Sequence, residues 1–381
     1  MISERGRKIS PSPTLTLNAK VKELREKGED IVNLTAGEPD FPTPERIKEA
    51  CRKALKDNFT HYTSPWGILP LREAIKEKFW RENHIDYPLE GILVTCGAKD
   101  ALYLLFQTLL NPGEEVIIFS PYWVSYPEQV KLAGGVPVII STGEDFLPDL
   151  EEVKKKVSSR TRAIIINSPC NPTGKVYPPQ ILEKLAEIVW KRRIFLISDE
   201  VYEKIVFGER PVSPASLFNE IKDFTITVNA VSKTYSMTGW RIGYVGGPPE
   251  VVKVMAKIQS QSVSCPSSLS QAAALEALRG GEEEVEEMVR EFRRRRDYLV
   301  RELEKFSTFQ LLPPEGTFYA FPHFNFEDKD SEEFSMWLLE RARVAMVPGS
   351  AFGKDNHVRI SFATSLSNLE KAIYRLKRLL P

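Results

Sequence analysis

Cysteine and histidine are scarce in this chain. The four cysteines, Cys51, Cys96, Cys170 and Cys265, lie far apart and show none of the paired spacing of a zinc knuckle or a disulfide framework. They are expected to be reduced, mostly buried thiols. The four histidines, His61, His84, His323 and His357, form no ligand pair, so no metal is expected. Net charge is also missing, since 52 basic residues balance 52 acidic ones. That balance gives no reason to expect a nucleic-acid partner. The arginine run at 293–296 has glutamates on both sides and reads as a solvated, salt-bridged helix face. No stretch approaches membrane-spanning length, and residues 1–8 lack the apolar segment of a signal peptide. A cytoplasmic chain with no membrane partner is expected. The glycine-rich dinucleotide fingerprint is absent, which argues against a nicotinamide enzyme.

What is present reads as a globular enzyme. A length of 381 residues exceeds a typical single domain. With 42% hydrophobic and 27% charged residues, the chain can bury a sizeable core. Strand signals at 92–95, 116–119, 136–140, 163–167, 195–198, 225–228 and 241–245 alternate with helical periodicity. That pattern predicts an α/β domain with a mostly parallel sheet, whose ligands sit beyond the carboxyl ends of the strands. A long charged helix from about Glu282 opens a second set of strands and helices. Near the N-terminus, an amphipathic helix over 14–30 and a short strand at 31–34 precede a loop too rich in proline and glycine for a regular element.

One lysine organises the rest. Residues 224–228 form an apolar, β-branched run that reads as a buried strand, and it leads to Ser232 and Lys233. A lysine at the mouth of such a strand is poorly solvated. Its pKa falls and its lone pair becomes available for Schiff-base chemistry. Arg241 follows as a fixed cation suited to a phosphate. Gly97, Ala98, Lys99 and Asp100 open a helix whose free N–H groups and dipole favour phosphate. Trp123 follows the next strand, where an indole reads first as core packing. Asn171 stands between Pro169 and Pro172, either as a turn former or as an aimed amide. Asp199 ends an apolar strand, and helix capping and pairing with a buried cation are even readings there. Arg359, in an alternating strand pattern, needs an anion from the protein or from a substrate.

Ser232 and Lys233, followed by Met237, Thr238, Gly239, Trp240, Arg241, Ile242 and Gly243, resemble the cofactor-lysine signature of fold-type I aminotransferases, which use pyridoxal 5′-phosphate. The likeness covers nearly the whole chain and is strongest to the bacterial aspartate aminotransferase branch, subgroup Ib. It implies a large cofactor-binding domain over 45–281 and a smaller α+β domain from 1–44 and 282–381. It makes Lys233 the catalytic and cofactor-linked amine. It gives Asp199 the ring nitrogen, Tyr202 and Asn171 the ring hydroxyl, and Trp123 the ring face. Arg241, Gly97, Ala98, Lys99 and Ser232 surround the phosphate, with Tyr62 supplied by the partner subunit of a homodimer with shared active sites. Arg359 receives the substrate α-carboxylate, helped by Gly37, Trp123 and Asn171, and Lys99 receives a distal carboxylate.

The activity implied is amino-group transfer between an L-amino acid and a 2-oxo acid, with L-aspartate and 2-oxoglutarate as the pair. Three positions depart from the family pattern. Ala230 replaces a phosphate-binding serine, Cys170 occupies a variable loop position, and Ser10 stands where relatives that accept prephenate carry lysine. The last departure implies that prephenate is not used. Three alternatives stay open. One is a transaminase for aromatic, alanine or kynurenine-type substrates, one is a β-lyase on the same cofactor, and one, ranked lowest, is a non-catalytic regulator.

Overall fold

The computed structural model describes residues 2–7, 9–11 and 13–381. Its centre is a seven-stranded sheet. In chain order the strands are Ile92–Thr95 (β1), Glu115–Ser120 (β2), Val136–Ser141 (β3), Thr161–Asn167 (β4), Phe195–Asp199 (β5), Thr225–Ala230 (β6) and Gly243–Gly246 (β7). Their spatial order is β1-β7-β6-β5-β4-β2-β3. Only β7 runs against its neighbours, and the other pairings are parallel. Strands β1, β2 and β6 are buried on both faces because helices cover both faces of the sheet, although one face of β6 carries Thr225, Thr227 and Asn229. At the edge, β3 is half exposed.

This arrangement matches the expected α/β architecture, with two local corrections. Arg241 is not a strand residue. It follows the short 3-10 turn Thr238–Trp240 with φ 57°, and β7 begins two residues later. The arginine run is not wholly solvated. Arg295 is buried among Asp40, Glu291 and two phenylalanine rings, whereas Arg294 faces solvent. Only Cys170 is buried, the other three cysteines are partly exposed, and all four are free thiols.

A smaller domain is assembled from both ends of the chain. Val32–Asn33 pairs in parallel with Val344–Ala345. Val358–Ser361 lies between Tyr319–Ala320 and Val347–Pro348. Phe292, Leu299 and Leu303 of the long helix Glu282–Leu303 pack on Phe318, Phe334 and Phe362. That single apolar cluster ties the termini together, and burial on this scale is the main favourable term in folding. Among the described residues, no helix is long and apolar enough to cross a membrane, and no group of three or more His, Cys, Asp or Glu side chains is placed to hold a metal ion.

Candidate functional site

The sheet brings the singled-out residues to one place. Pairing sets Asn167 beside Asp199 and Asp199 beside Val228 at the carboxyl ends of β4, β5 and β6. Lys233 follows β6 in a single helical turn, Val231–Thr234. Asn167, Asp199 and Lys233 line a cleft of about 470 Å³, with Gly37, Ala98, Lys99, Trp123, Asn171, Tyr202, Ser232, Arg241 and Arg359 also in its wall. Gly97 caps the helix Ala98–Leu109 behind the cleft. Tyr62 is the exception. It is 89% exposed and does not reach this chain's own cleft.

The Lys233 amine donates 2.7 Å to the carbonyl of Gly37. Burial pushes its pKa down to about 8, with Arg241, Arg359 and Lys99 adding to the effect and Glu38 opposing it. A sizeable neutral fraction at neutral pH suits a nucleophile and proton carrier. Asp199 is 4% exposed. It accepts from Tyr126 Oη at 2.6 Å and from Val201 N at 3.4 Å, and no ion pair reaches it among the described residues. Burial raises its carboxyl to about 6.

Arg359 is buried in the cleft wall. Its guanidinium donates to Asn171 Oδ1 at 3.0 Å and to Thr35 O at 2.9 Å. Its Nε has no partner in the described chain, and burial lowers its pKa. The Tyr319 ring lies 4.3 Å from its charged carbon. Asn171 has thus turned its oxygen toward Arg359. Tyr202 Oη meets Tyr319 Oη at 3.1 Å.

Lys99 and Arg241 also stand in the cleft wall, both solvent-exposed. Lys99 lies 4.9 Å over the Trp123 ring, and no carboxylate pairs with it among the described residues. Partial desolvation and then Arg241 lower its pKa. Arg241 donates only to the carbonyls of Thr238 and Cys96. Gly97 has φ 88°, and a Cβ there would fall 2.5 Å from the Arg241 guanidinium. Two cations therefore crowd the start of a helix whose Ala98 and Lys99 N–H groups have no backbone acceptor among the described residues, whereas those of Asp100 and Ala101 bond Gly97 O.

These features fit pyridoxal phosphate on physical grounds. A buried carboxylate without a cation matches a protonated ring nitrogen. A helix start with unpaired cations matches a phosphate. A half-buried indole in the cleft wall and a buried arginine with an idle donor serve a flat ring and a substrate carboxylate.

Several cleft residues escaped the sequence reading. Tyr126, Asn167, Glu38, Thr238 and Tyr319 all line the cleft. Tyr126 sits three residues after Trp123, one helical turn on, and that spacing was the available signal. Asn167 ends β4, Thr238 opens the 3-10 turn before Arg241, Glu38 lies in a loop, and Tyr319 comes from distant sequence.

The chain matches the family model "Aminotransferase class I and II" over residues 29–376. It is 50% identical to the probable aspartate/prephenate aminotransferase of Aquifex aeolicus, over 100% of this chain and 98% of that one. It is 45% identical to the aspartate aminotransferase of Geobacillus stearothermophilus, over 99% and 98%. The structure of Thermus thermophilus aspartate aminotransferase with maleate superposes with a TM-score of 0.96 at 46% identity, covering 99% of each chain. With a signature lysine, a cleft that fits the cofactor and full-length likeness to such enzymes, the chain belongs to the class I and II aminotransferases and is a pyridoxal-phosphate-dependent enzyme that moves an amino group between an amino acid and a 2-oxo acid.

Proposed function

We propose that the substrates are dicarboxylic, L-aspartate as amino donor and 2-oxoglutarate as acceptor. The observation that carries this is a pair of cations lining one cleft, Arg359 and Lys99, neither paired with a carboxylate of the described chain. Two cations suit two carboxylates. The fork of Arg359 grips the α-carboxylate, and Lys99 leaves the Trp123 ring to meet the distal one. The relatives' names and the maleate of the Thermus structure, itself a dicarboxylate, support the same class.

Pyridoxal phosphate, when bound, supplies the electron sink for the reaction. The chain's residues do the rest. Lys233 would hold the cofactor through its amine and, when free, would take up and return the substrate's α-proton. Asp199 would meet the ring nitrogen and keep it protonated, and that cation would favour the charged carboxylate. Tyr202 and Asn171 donate to the ring hydroxyl, and Trp123 covers a ring face. Arg241, Ser232 and the backbone of Gly97, Ala98 and Lys99 hold the phosphate, with Ser232 standing in for the serine replaced by Ala230. Gly37 lines the substrate side.

The exposure of Tyr62 supports a homodimer in which it completes the partner's site. The domain limits 45–281, against 1–44 with 282–381, follow the start of the helix Glu45–Lys56 and that of the helix Glu282–Leu303. We place the enzyme in the cytoplasm. The names of several relatives favour a second reading, with prephenate as a further acceptor. Ser10 in place of lysine argues against it.

The test is Lys99→Ser. Lys99 is exposed, so its contact with a carboxylate is worth less than a buried pair, about 1.5–3 kcal/mol. kcat/KM for aspartate is expected to fall ~10–100-fold more than for alanine. Equal losses would refute the dicarboxylate reading.

A further inference from the structure

Residues 35–43 form an irregular strap across the mouth of the cleft, with Gly37 over the Lys233 amine. Such a segment has no ladder to fix it and depends on side-chain tethers. Thr238 Oγ1 donates to Glu38 at 2.6 Å, and Thr43 Oγ1 donates to Ser236 O at 2.6 Å. Both tethers come from the loop that carries Arg241. Arg359 Nη2 donates to Thr35 O and Trp240 Nε1 to Thr43 Oγ1, each at 2.9 Å. A further, charged tether comes from the long helix Glu282–Leu303. Arg295 Nη1 donates 2.7 Å to Asp40 Oδ1.

Arg295 has little freedom of its own. Its Nε is held 2.9 Å from Glu291. Its charged carbon lies 5.0 Å from the Phe41 ring and 5.8 Å from the Phe292 ring, and its side chain is 7% exposed. A planar guanidinium fixed on three sides is a rigid anchor. Asp40 is three residues from Gly37, on the side away from the Arg359–Thr35 contact, so the anchor helps to set where the Gly37 carbonyl stands.

We propose that Arg295 is a positioning residue of the transamination: through Asp40 it sets the place of the Gly37 carbonyl, and with it the place where the free Lys233 amine is held between proton transfers. The proposal rests on Lys233 being the reacting amine. Arg295 touches neither substrate nor cofactor and acts only through the strap. Its arrangement also links the helix that begins the smaller domain's C-terminal part to the reacting lysine.

Asp40→Asn is the gentle test, because Arg295 keeps Glu291 and no buried charge is stranded. Steady-state kinetics and amide hydrogen exchange over 35–43 are compared with the parent, the exchange being followed in the cofactor-free protein. Asp40→Asn is expected to speed exchange in the strap and to lower kcat ~10-fold or more, the cost of a modest misplacement, with KM for the amino donor little changed. Glu291→Gln removes a charge but keeps an oxygen to accept from Arg295 Nε, so the anchor stays in place, and it is expected to leave strap exchange and kcat at parental values. Parental kcat in Asp40→Asn, with or without faster exchange, would overturn the proposal, as would an equal loss in Glu291→Gln. Failure of the Lys233 assignment would show separately, as turnover surviving in Lys233→Ala.

Discussion

Tyr126 donates its phenolic proton to Asp199 Oδ2 across 2.6 Å, from the first turn of the helix Ser125–Leu132 to the end of β5. The bond favours the charged carboxylate in a place where burial opposes it. Hydrogen bonds to charged groups are worth about 1.5–3 kcal/mol. Tyr126→Phe is therefore expected to lower kcat/KM ~10–100-fold at neutral pH. The Asp199 carboxyl rises further, so the acid limb of the pH–rate profile moves to higher pH. A profile that keeps its position would show that Tyr126 does not support Asp199.

The same carboxyl sets a pH dependence of stability in the cofactor-free protein. Its pKa is about 6 folded, against an ordinary value of 3.8. A raised carboxyl pKa means the folded state binds the proton more tightly. The unfavourable contribution is then absent below pH 3.8 and fully present above pH 6. Relative to the parent, Asp199→Asn is expected to gain about 2 kcal/mol between pH 4 and pH 7 in urea unfolding. A constant gap between the two proteins across that range would contradict the burial argument.

Arg359 offers a fork whose Nε is idle in the free chain. Lysine in its place keeps the charge but loses the planar, two-point grip. Arg359→Lys is expected to raise KM for every amino donor ~10–100-fold, with aspartate and alanine affected alike, because the α-carboxylate is common to both. Loss confined to aspartate would reverse the assignments of Arg359 and Lys99.

Tyr62 projects away from its own cleft. If the partner's site receives it, chains carrying Tyr62→Phe and chains carrying Lys233→Ala complement each other. A mixed dimer holds one site with a native Lys233 and a native Tyr62. Refolded mixtures are expected to exceed the activity of either parent variant. A strictly additive mixture would argue against shared sites.

The site was legible where its residues follow strands in short, distinctive runs. Lys233 after a buried β-branched strand, Asn171 between two prolines and Asp199 at the end of an apolar run carry their chemistry locally. Arg359 was legible as a cation without an anion. The antiparallel β7, slotted between β1 and β6, was not, because a strand's direction depends on where the chain returns. Arg295 was misread for the same reason. Its four-arginine context looks solvated, while the carboxylate and rings that bury it include Asp40, 255 residues away, and Phe41. Tyr126 was passed over as one more helix aromatic. The cysteines were expected inside on composition alone, yet three of them lie at partly exposed helix and loop positions.

The most direct test of Lys233 as the cofactor lysine in a dicarboxylate-specific transaminase is an absorbance spectrum of the protein with pyridoxal phosphate, before and after L-aspartate is added without an acceptor. The expected result is a yellow lysine-bound cofactor that bleaches to the pyridoxamine form with aspartate, and no such colour in Lys233→Ala. A colour that ignores aspartate and responds to alanine or phenylalanine would contradict the role given to Lys99. No colour in the parent protein would contradict the assignment of Lys233 itself.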